Sequence, residues 1–137
     1  MRYILLSGLM FSLTSPAFAA APIAGRWLTA EKDSIIEIGA CGPAQCGKIA
    51  KILKGPPDGK PAMDNNNPNP SLRNRPIQGM TLLSGFTDAG SEWKGTIYDP
   101  RAGKTYKSYL ARLANGTLRV KGCVGPFCKT FIYTAVK

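Results

Sequence analysis

Two cysteine pairs with the same spacing are the residues with the clearest chemistry in this chain. Cys41 and Cys46 flank one segment that contains Gly-Pro, and Cys123 and Cys128 flank another. The spacing favours two local disulfides, because a hairpin would place each pair at a Cα separation that a disulfide spans without strain. Zinc binding is the competing interpretation, although zinc ligands more often have the spacing C-x-x-C. Redox catalysis of the thioredoxin kind also needs C-x-x-C, which neither pair has.

The absence of histidine excludes several classes of catalytic site. The chain has no histidine, so it cannot form a Ser-His-Asp triad, a Cys-His pair or a metal site ligated by histidine. Asp64 and Asp99 could hydrolyse a glycosidic bond if they faced one cleft, but the eight acidic residues are scattered along the chain. We therefore predict no catalytic residues, no metal and no cofactor. A hydrolase that uses carboxylates is the least favoured alternative.

A long segment at 54–79 carries the polar residues best suited to hold a ligand. It is rich in proline and asparagine, and loops of this length in compact domains are typically functional or disordered. Arg73 and Arg75 could bind a carboxylate or phosphate of a ligand through paired hydrogen bonds. Alternatively, they could pair with Asp64 or with backbone carbonyls and hold the loop in place. A calcium loop that begins at Asp64 is disfavoured, because Arg75 occupies its twelfth position, where a glutamate is needed.

Residues 1–19 have the pattern of a cleaved signal peptide. Arg2 precedes an apolar run, and Ala17 and Ala19 occupy the A-x-A positions before a cut. The run is too short to span a bilayer, so an uncleaved anchor is the weaker alternative. We expect a mature chain of residues 20–137 with no transmembrane segment, in the periplasm or secreted. Paired cysteines agree with such an oxidising compartment.

The charge of the chain indicates which partners it could attract. The formal net charge of the full sequence is +10. An exported protein with this excess would meet anionic components of the cell envelope rather than nucleic acid. The basic residues are scattered, however, and this pattern is also typical of a solvated surface without a partner.

The mature chain alternates strand patterns with turn signals and shows no helical periodicity. Asn115-Gly116 is the strongest hairpin signal, and Leu118 and Val120 alternate with charged residues directly after it. The predicted strands are 26–30, 34–40, 47–53, 80–87, 93–99, 104–113, 117–122 and 129–136. A meander of this length typically closes into a barrel or packs as a sandwich, and closure has the advantage that it removes exposed strand edges. We therefore predict one all-β domain, a small antiparallel up-and-down barrel of about eight strands.

Successive turns of such a barrel lie at alternating ends, which predicts the two cysteine hairpins at opposite ends. Each hairpin is expected to have a four-residue loop, with Cys41 directly opposite Cys46 and Cys123 directly opposite Cys128. Trp27, Trp93 and Phe131 are expected to pack in the core. Whether the interior of the barrel is filled or hollow is left open by the sequence, because small barrels of this size occur in both forms.

Several short motifs, in one order, resemble a known family. They are Gly25-Arg26-Trp27, CGPAQCGKI, Asp64, Asn67-Pro68, Leu72-Arg73, Arg75-Pro76, Gly79, Trp93, Gly95, Ile97-Tyr98-Asp99-Pro100, Gly103-Lys104, Tyr106 and the second cysteine hairpin. In this order they resemble the bacterial family catalogued as domain of unknown function 2147. The resemblance implies a small lipocalin-like barrel of an exported protein without an assigned activity. One departure from the family pattern lies near the C-terminus, where the resemblance leads us to expect an aromatic such as tryptophan and the chain has Tyr133.

Taken together, these features predict a non-catalytic exported barrel that binds a small amphipathic or anionic ligand, or a component of the cell envelope. The alternative is a structural or interaction module that docks on envelope polymers or on a protein partner through its basic surface. Tyr98 and Tyr106 flank a turn and are expected at the lip of a pocket. The candidate ligand-binding residues are Asp64, Asn67, Arg73, Arg75, Trp93, Tyr98, Asp99 and Tyr106.

Overall fold

The computed structural model of the chain describes residues 8–12 and 19–137. The predicted signal peptide at 1–19 therefore lies mostly outside the described residues, and its cleavage stays a prediction. Within the part of the chain that is described, no helix has the length and apolar character needed to cross a membrane.

Eight antiparallel strands follow one another around a closed barrel. Each strand pairs with its neighbour in the sequence, and β8 returns to pair with β1, which confirms the predicted up-and-down barrel. The strands are β1 (Gly25–Leu28), β2 (Ser34–Cys41), β3 (Ala44–Ile52), β4 (Thr81–Asp88), β5 (Trp93–Asp99), β6 (Lys104–Arg112), β7 (Leu118–Val124) and β8 (Phe127–Ala135). One turn of 3-10 helix, Pro70–Leu72, interrupts the long connection between β3 and β4.

Alternate residues of each strand point into the barrel and form its core. Ile36 and Ile38 in β2 and Leu118 and Val120 in β7 are all buried, as the period of two along a strand requires. The ring of Phe86 packs against the backbone at Gly95, where an added Cβ would lie only 2.8 Å from that ring. Glycine is needed at this position because any other residue would displace the ring of Phe86, which is fully buried.

Both cysteine hairpins turn through a Gly-Pro pair, so the expectation of four-residue loops is wrong. Gly42 and Gly125 have φ angles of 60° and 56°, in the left-handed region that glycine tolerates best. Proline follows each glycine and holds the second central residue at negative φ, which gives the turn geometry of type II′. This turn matches the twist of the flanking strands, so the strands reach the Gly-Pro pair directly on both sides.

The two predicted disulfides are present, but only one joins residues that are directly opposite. Cys123 and Cys128 are paired across β7 and β8, with Cα atoms 4.0 Å apart. Cys41 pairs instead with Ala44, so its disulfide to Cys46 crosses the hairpin diagonally over a Cα separation of 5.8 Å. The predicted register of the first hairpin is therefore wrong. The physical reason is that Gly-Pro sits one position earlier in CGPAQC than in CVGPFC, and the turn sets the register.

The alternation of turns divides the barrel into two ends, as predicted. The turns after β2, β4 and β6 lie at one end, which we call the capped end because residues 19–24 cover it. There the indole Nε1 of Trp27 donates to the carbonyl of Ile23 at 3.0 Å, and Ile23 is buried. The turns after β1, β5 and β7 and the long loop between β3 and β4 lie at the other end, which we call the open end. The cysteine hairpins are thus at opposite ends.

The barrel wall is incomplete where β8 meets β1. β1 ends at Leu28, two residues earlier than predicted, because Thr29 and Asp33 begin a tight turn through a hydrogen bond of 2.6 Å between their side chains. Short β1 pairs only with Thr134 and Ala135 of β8. The part of β8 nearer the open end therefore has a strand neighbour on one side only.

Candidate ligand-binding site

The barrel is hollow toward its open end. The cavity has a volume of about 970 Å³, at the upper limit of the range typical of small-molecule sites. Its lower walls and floor are apolar side chains that point inward from five strands and the adjoining loop, and four of them are at most 9% exposed, so the packed core closes the cavity below. These side chains are Ile36, Ile49, Ile77, Leu82, Ile97 and Val120. The question that the sequence left open is thereby answered for the described residues.

The mouth of the cavity is crossed by a pair of salt bridges, which we call the mouth bridge. Arg101 donates from Nη1 and Nη2 to the two carboxylate oxygens of Glu31 at 3.1 and 2.7 Å, and from Nη2 to Asp33 at 2.6 Å. Arg101 follows β5, whereas both acidic residues follow β1, on the opposite side of an eight-stranded barrel. The hydrogen bonds to Glu31 raise the pKa of Arg101 further. The side chains of Arg101 and Glu31 are more than half exposed, so the bridge adds little stability and can open.

A buried phenol lies in the wall below the mouth. The side chain of Tyr133 lines the cavity and is only 9% exposed. Burial raises the pKa of Tyr133 to about 12, and the negative charge of Asp33 acts in the same direction. The hydroxyl group therefore stays protonated at neutral pH, which makes it a neutral hydrogen-bonding group beside the cavity.

The long loop is held against the barrel by a buried carboxylate. Asp64 is fully buried and accepts a hydrogen bond of 2.6 Å from the hydroxyl of Tyr98 on its Oδ1. Its Oδ2 accepts from Nδ2 of Asn67 at 2.8 Å and from Nε of Arg75 at 3.1 Å, and Nη2 of Arg75 lies 3.1 Å from the same oxygen in a salt bridge. We call these four residues the Asp64 network. It ties two separate stretches of the loop, around Asp64 and around Arg75, to each other and to Tyr98 in β5.

The protonation states of the network follow from these contacts. Burial on its own raises the pKa of Asp64, but the hydrogen bonds from Tyr98, Asn67 and Arg75 outweigh it and bring the pKa below its ordinary value of 3.8. Burial and the neighbouring carboxylate raise the pKa of Tyr98 to about 12. At neutral pH the carboxylate is therefore ionised and the phenol is neutral, which is the pairing that their short hydrogen bond requires.

Two further contacts fasten the loop. Arg73 donates from Nε to the carbonyl of Asn67 at 2.8 Å, and the side-chain amide of Asn66 donates to the carbonyl of Arg101 at 2.9 Å. Gly103 has a φ of 64°, and a Cβ at this position would overlap the backbone carbonyl of Asn66. The loop is thus an ordered cover beside the mouth, and both arginines make the contacts that the loop-holding alternative predicts.

The structure places the eight predicted ligand-binding residues in three groups. Tyr98, Asp99 and Tyr106 line the cavity. The four loop residues belong to the Asp64 network or contact it, and they reach the cavity through Tyr98. Trp93 lies at the capped end, where its Nε1 donates to the carbonyl of Ala21 at 2.9 Å. Their role as ligand contacts stays a prediction, and for Trp93 the geometry offers no support.

The donors around Asp64 also bear on the calcium alternative. A calcium ion needs oxygen ligands, whereas both carboxylate oxygens here accept hydrogen bonds from protein donors. No group of three or more candidate metal ligands occurs within residues 8–12 and 19–137.

The mouth bridge and part of the cavity wall are not among the features predicted from the sequence. Phe131 is expected in the core but is 41% exposed. It faces the cavity from the part of β8 that does not pair with β1. The signal for the wall is the alternation along β8, which puts Phe131 and Tyr133 on the inner face. The signal for the bridge is the alternation of turns, which brings Glu31 and Arg101 to the same end.

A closed up-and-down barrel of eight strands with a hollow end that can hold one small ligand is the architecture of the lipocalin-like class. Residues 25–135 match the model of the family described as "Uncharacterized protein conserved in bacteria (DUF2147)", and the chain belongs to this family. The chain is also similar to a solved structure described as "Protein HP1028 from the human pathogen Helicobacter pylori belongs to the lipocalin family". The two are 28% identical with a TM-score of 0.74, over 85% of this chain and 84% of that chain. No curated protein matches the chain.

Proposed function

We propose that the protein is an exported, non-catalytic binding protein that holds one small amphipathic ligand in the hollow end of its barrel. The observation that carries this proposal is the cavity of about 970 Å³, apolar in its depth and charged at its mouth. Apolar side chains that face a water-filled cavity are costly to leave in contact with water, and a ligand that covers them removes this cost. Lipocalin-like barrels commonly hold one small ligand in this place.

The distribution of charge at the mouth favours an anionic head group. Lys54 and Lys129 line the mouth. Arg101 also faces it, with Glu31 and Asp33 as its present partners. A ligand carboxylate or phosphate could replace these acidic side chains on the guanidinium group, which binds such groups with two parallel hydrogen bonds. The apolar part of the ligand would then extend down to the isoleucine and valine side chains.

Export to the periplasm or the exterior is supported by the start of the folded domain. Cleavage after Ala19 would leave Ala20 as the first residue, and its backbone nitrogen lies 3.1 Å from both carboxylate oxygens of Asp88. The new amino group would be positively charged, so the cut would turn this hydrogen bond into a salt bridge. Two disulfides agree with an oxidising compartment.

The proposal is tested by filling the cavity from within. Gly122 lines the cavity, and a Cβ added there would meet Ile97 at 3.7 Å, an ordinary contact. Gly122→Leu should therefore fold normally while its side chain occupies the ligand space. Binding is measured with an anionic, environment-sensitive dye such as anilinonaphthalene sulfonate. The native ligand is sought by mass spectrometry of whatever co-purifies from the cell envelope.

A matched variant controls for the added side chain. Gly39 lies on the outer face of β2, and nothing lies within 4 Å of a Cβ built there. We expect Gly39→Leu to bind the dye as the wild type does and Gly122→Leu to lose most of the binding. Equal binding by both variants would refute a site inside the barrel.

A structural module that docks through its surface is the second candidate, and it would leave the native protein free of ligand. We do not propose the hydrolase alternative. The carboxylate of Asp64 is buried and surrounded by donors, and Oδ1 of Asp99 accepts the backbone N–H of Arg101 at 2.9 Å.

A further inference from the structure

The hairpin between β7 and β8 ends in an exposed apolar tip at the open end of the barrel. The tip consists of Val124, Gly125, Pro126 and Phe127, and we call it the hairpin tip. The side chain of Phe127 is 80% exposed and that of Val124 is 64% exposed. Two large apolar side chains at the apex of a turn are unusual on a solvated surface, and clusters of this kind typically mark contact sites.

The hairpin tip is continuous with the cavity. Val124, Phe127 and Phe131 all line the cavity mouth, and they succeed one another along the two strands. Because β1 covers β8 only at Thr134 and Ala135, this apolar surface reaches solvent without a strand beside it. An apolar path therefore runs from the interior of the barrel to the hairpin tip.

Three lysines lie beside the hairpin tip. Lys104 and Lys107 line a second groove, of about 490 Å³, together with Val124 and Gly125. Lys129 follows the hairpin tip in β8, opposite Gly122. Among the residues that the structure describes, every ion pair uses an arginine and none uses a lysine. The positive charges of these lysines are therefore available to an anionic partner.

We propose that the hairpin tip docks on the surface of an anionic lipid bilayer, with its two apolar side chains inserted among the head groups and the lysine-lined groove against lipid phosphates. Apolar side chains ringed by lysines are the pattern by which peripheral proteins bind such surfaces. The disulfide Cys123–Cys128 lies directly below the hairpin tip and restrains the strands that present it. Docking does not depend on the proposed function. Only the further idea, that the docked protein takes its ligand from the membrane into the cavity, rests on it.

A bilayer fits this surface better than a folded protein partner does. A stable protein interface buries about 800 Å² on each side, much more than two side chains at the apex of one turn can supply. Reversible membrane binding needs only a small apolar insertion together with a few basic residues, because each contribution is modest and they add.

The test measures binding of the purified full-length mature protein to vesicles of phosphatidylcholine with and without phosphatidylglycerol. We expect binding only to the anionic vesicles, weakened by salt. Phe127→Ala should reduce the affinity about tenfold, since it removes most of the inserted apolar surface. Exchanging both Lys104 and Lys107 for Glu should reduce it at least about tenfold, because each lysine near an anionic surface contributes about fivefold.

Two matched variants separate docking from general surface effects. Ile132→Ala removes an exposed apolar side chain farther along β8, and Lys94→Glu reverses an exposed charge near the capped end. Both should bind anionic vesicles as the wild type does. Melting curves and circular dichroism of every variant verify its fold. Phe127→Trp supplies a direct reporter, because its fluorescence should shift to the blue on insertion.

Several outcomes would overturn the proposal. They are no binding to anionic vesicles, equal binding to neutral vesicles, and equal losses in Phe127→Ala and Ile132→Ala. A dimer in solution that Phe127→Ala dissociates would show that the hairpin tip is instead a contact between two copies. Gly122→Leu distinguishes the two proposals, since it should lose dye binding and keep vesicle binding. Vesicle binding without dye binding in the wild type would refute the proposed function alone.

Discussion

The Asp64 network makes the sharpest prediction for stability. Replacing Asp64 with alanine leaves the hydroxyl of Tyr98, the amide of Asn67 and the guanidinium of Arg75 without their acceptor. Hydrogen bonds to a charged group contribute about 1.5–3 kcal/mol each, but the three act on one carboxylate and are not additive. The side chain of Arg75 is 41% exposed, so water compensates part of its loss. We expect Asp64→Ala to lower the free energy of unfolding by about 3 kcal/mol.

Asparagine at the same position should be milder. An amide can still accept from Asn67 and Arg75 and can donate to the oxygen of Tyr98, so Asp64→Asn loses mainly the charge. We expect a loss of about 1 kcal/mol for Asp64→Asn, and a fall in melting temperature of about 10–15 °C for Asp64→Ala. The measurement is thermal and urea unfolding followed by circular dichroism, with the disulfides intact. Asp58→Ala, an exposed acidic residue of the same loop, is the control and should change the free energy of unfolding by less than about 0.5 kcal/mol.

The pH dependence gives an independent test of the same network. Because the pKa of Asp64 is lower in the folded protein than its ordinary value of 3.8, the ionised carboxylate stabilises the fold above that value. This stabilisation is lost as the pH falls through the folded pKa. The stability difference between wild type and Asp64→Asn should therefore be constant near neutral pH and shrink below 3.8. If Asp64→Ala melts within about 2 °C of the wild type, the network does not hold the loop and the reasoning fails.

Three other predictions follow from contacts around the barrel ends. Gly103→Ala should expose the long loop to limited proteolysis, because the new Cβ would overlap the backbone of Asn66; a loop as resistant as in the wild type would contradict this. Arg101→Ala should speed dye entry and release by removing the mouth bridge and should cost less than about 1 kcal/mol of stability, whereas unchanged rates would show that the bridge does not restrict the mouth. The mature protein should begin at Ala20 by N-terminal sequencing, and Asp88→Ala should lower its melting temperature; a different first residue would refute the capture of the new amino group by Asp88.

Local signals in the sequence predict most of the fold. Alternating side chains, the Asn115-Gly116 turn and the cysteine spacing lead to eight strands and two disulfides, because each depends on neighbouring residues. The register of the first hairpin could also have been predicted. Gly-Pro follows Cys41 directly, whereas Val124 intervenes after Cys123, and a two-residue turn at Gly-Pro places the strands accordingly.

The candidate site was predicted only in part. Tyr98 and Tyr106 are predicted at the lip of a pocket because they flank one turn, and both line the cavity, as does Asp99. Trp93 was assigned to the same site although it lies at the other end of β5, since residue type alone does not tell which end of a strand faces a cavity. The contact of Arg101 with Glu31 joins residues 70 positions apart and depends on barrel closure.

The sequence by itself thus determined the closed meander, the disulfide pairs and the lack of histidine chemistry, because these follow from residue type, local alternation and short spacings. Only the tertiary structure decided that the barrel is hollow, since that depends on whether inward side chains from strands far apart in the sequence fill the enclosed volume. It also decided that Asp64 holds the loop and that the apolar hairpin tip continues the cavity wall. These features arise where distant segments meet in space, and no local pattern encodes them.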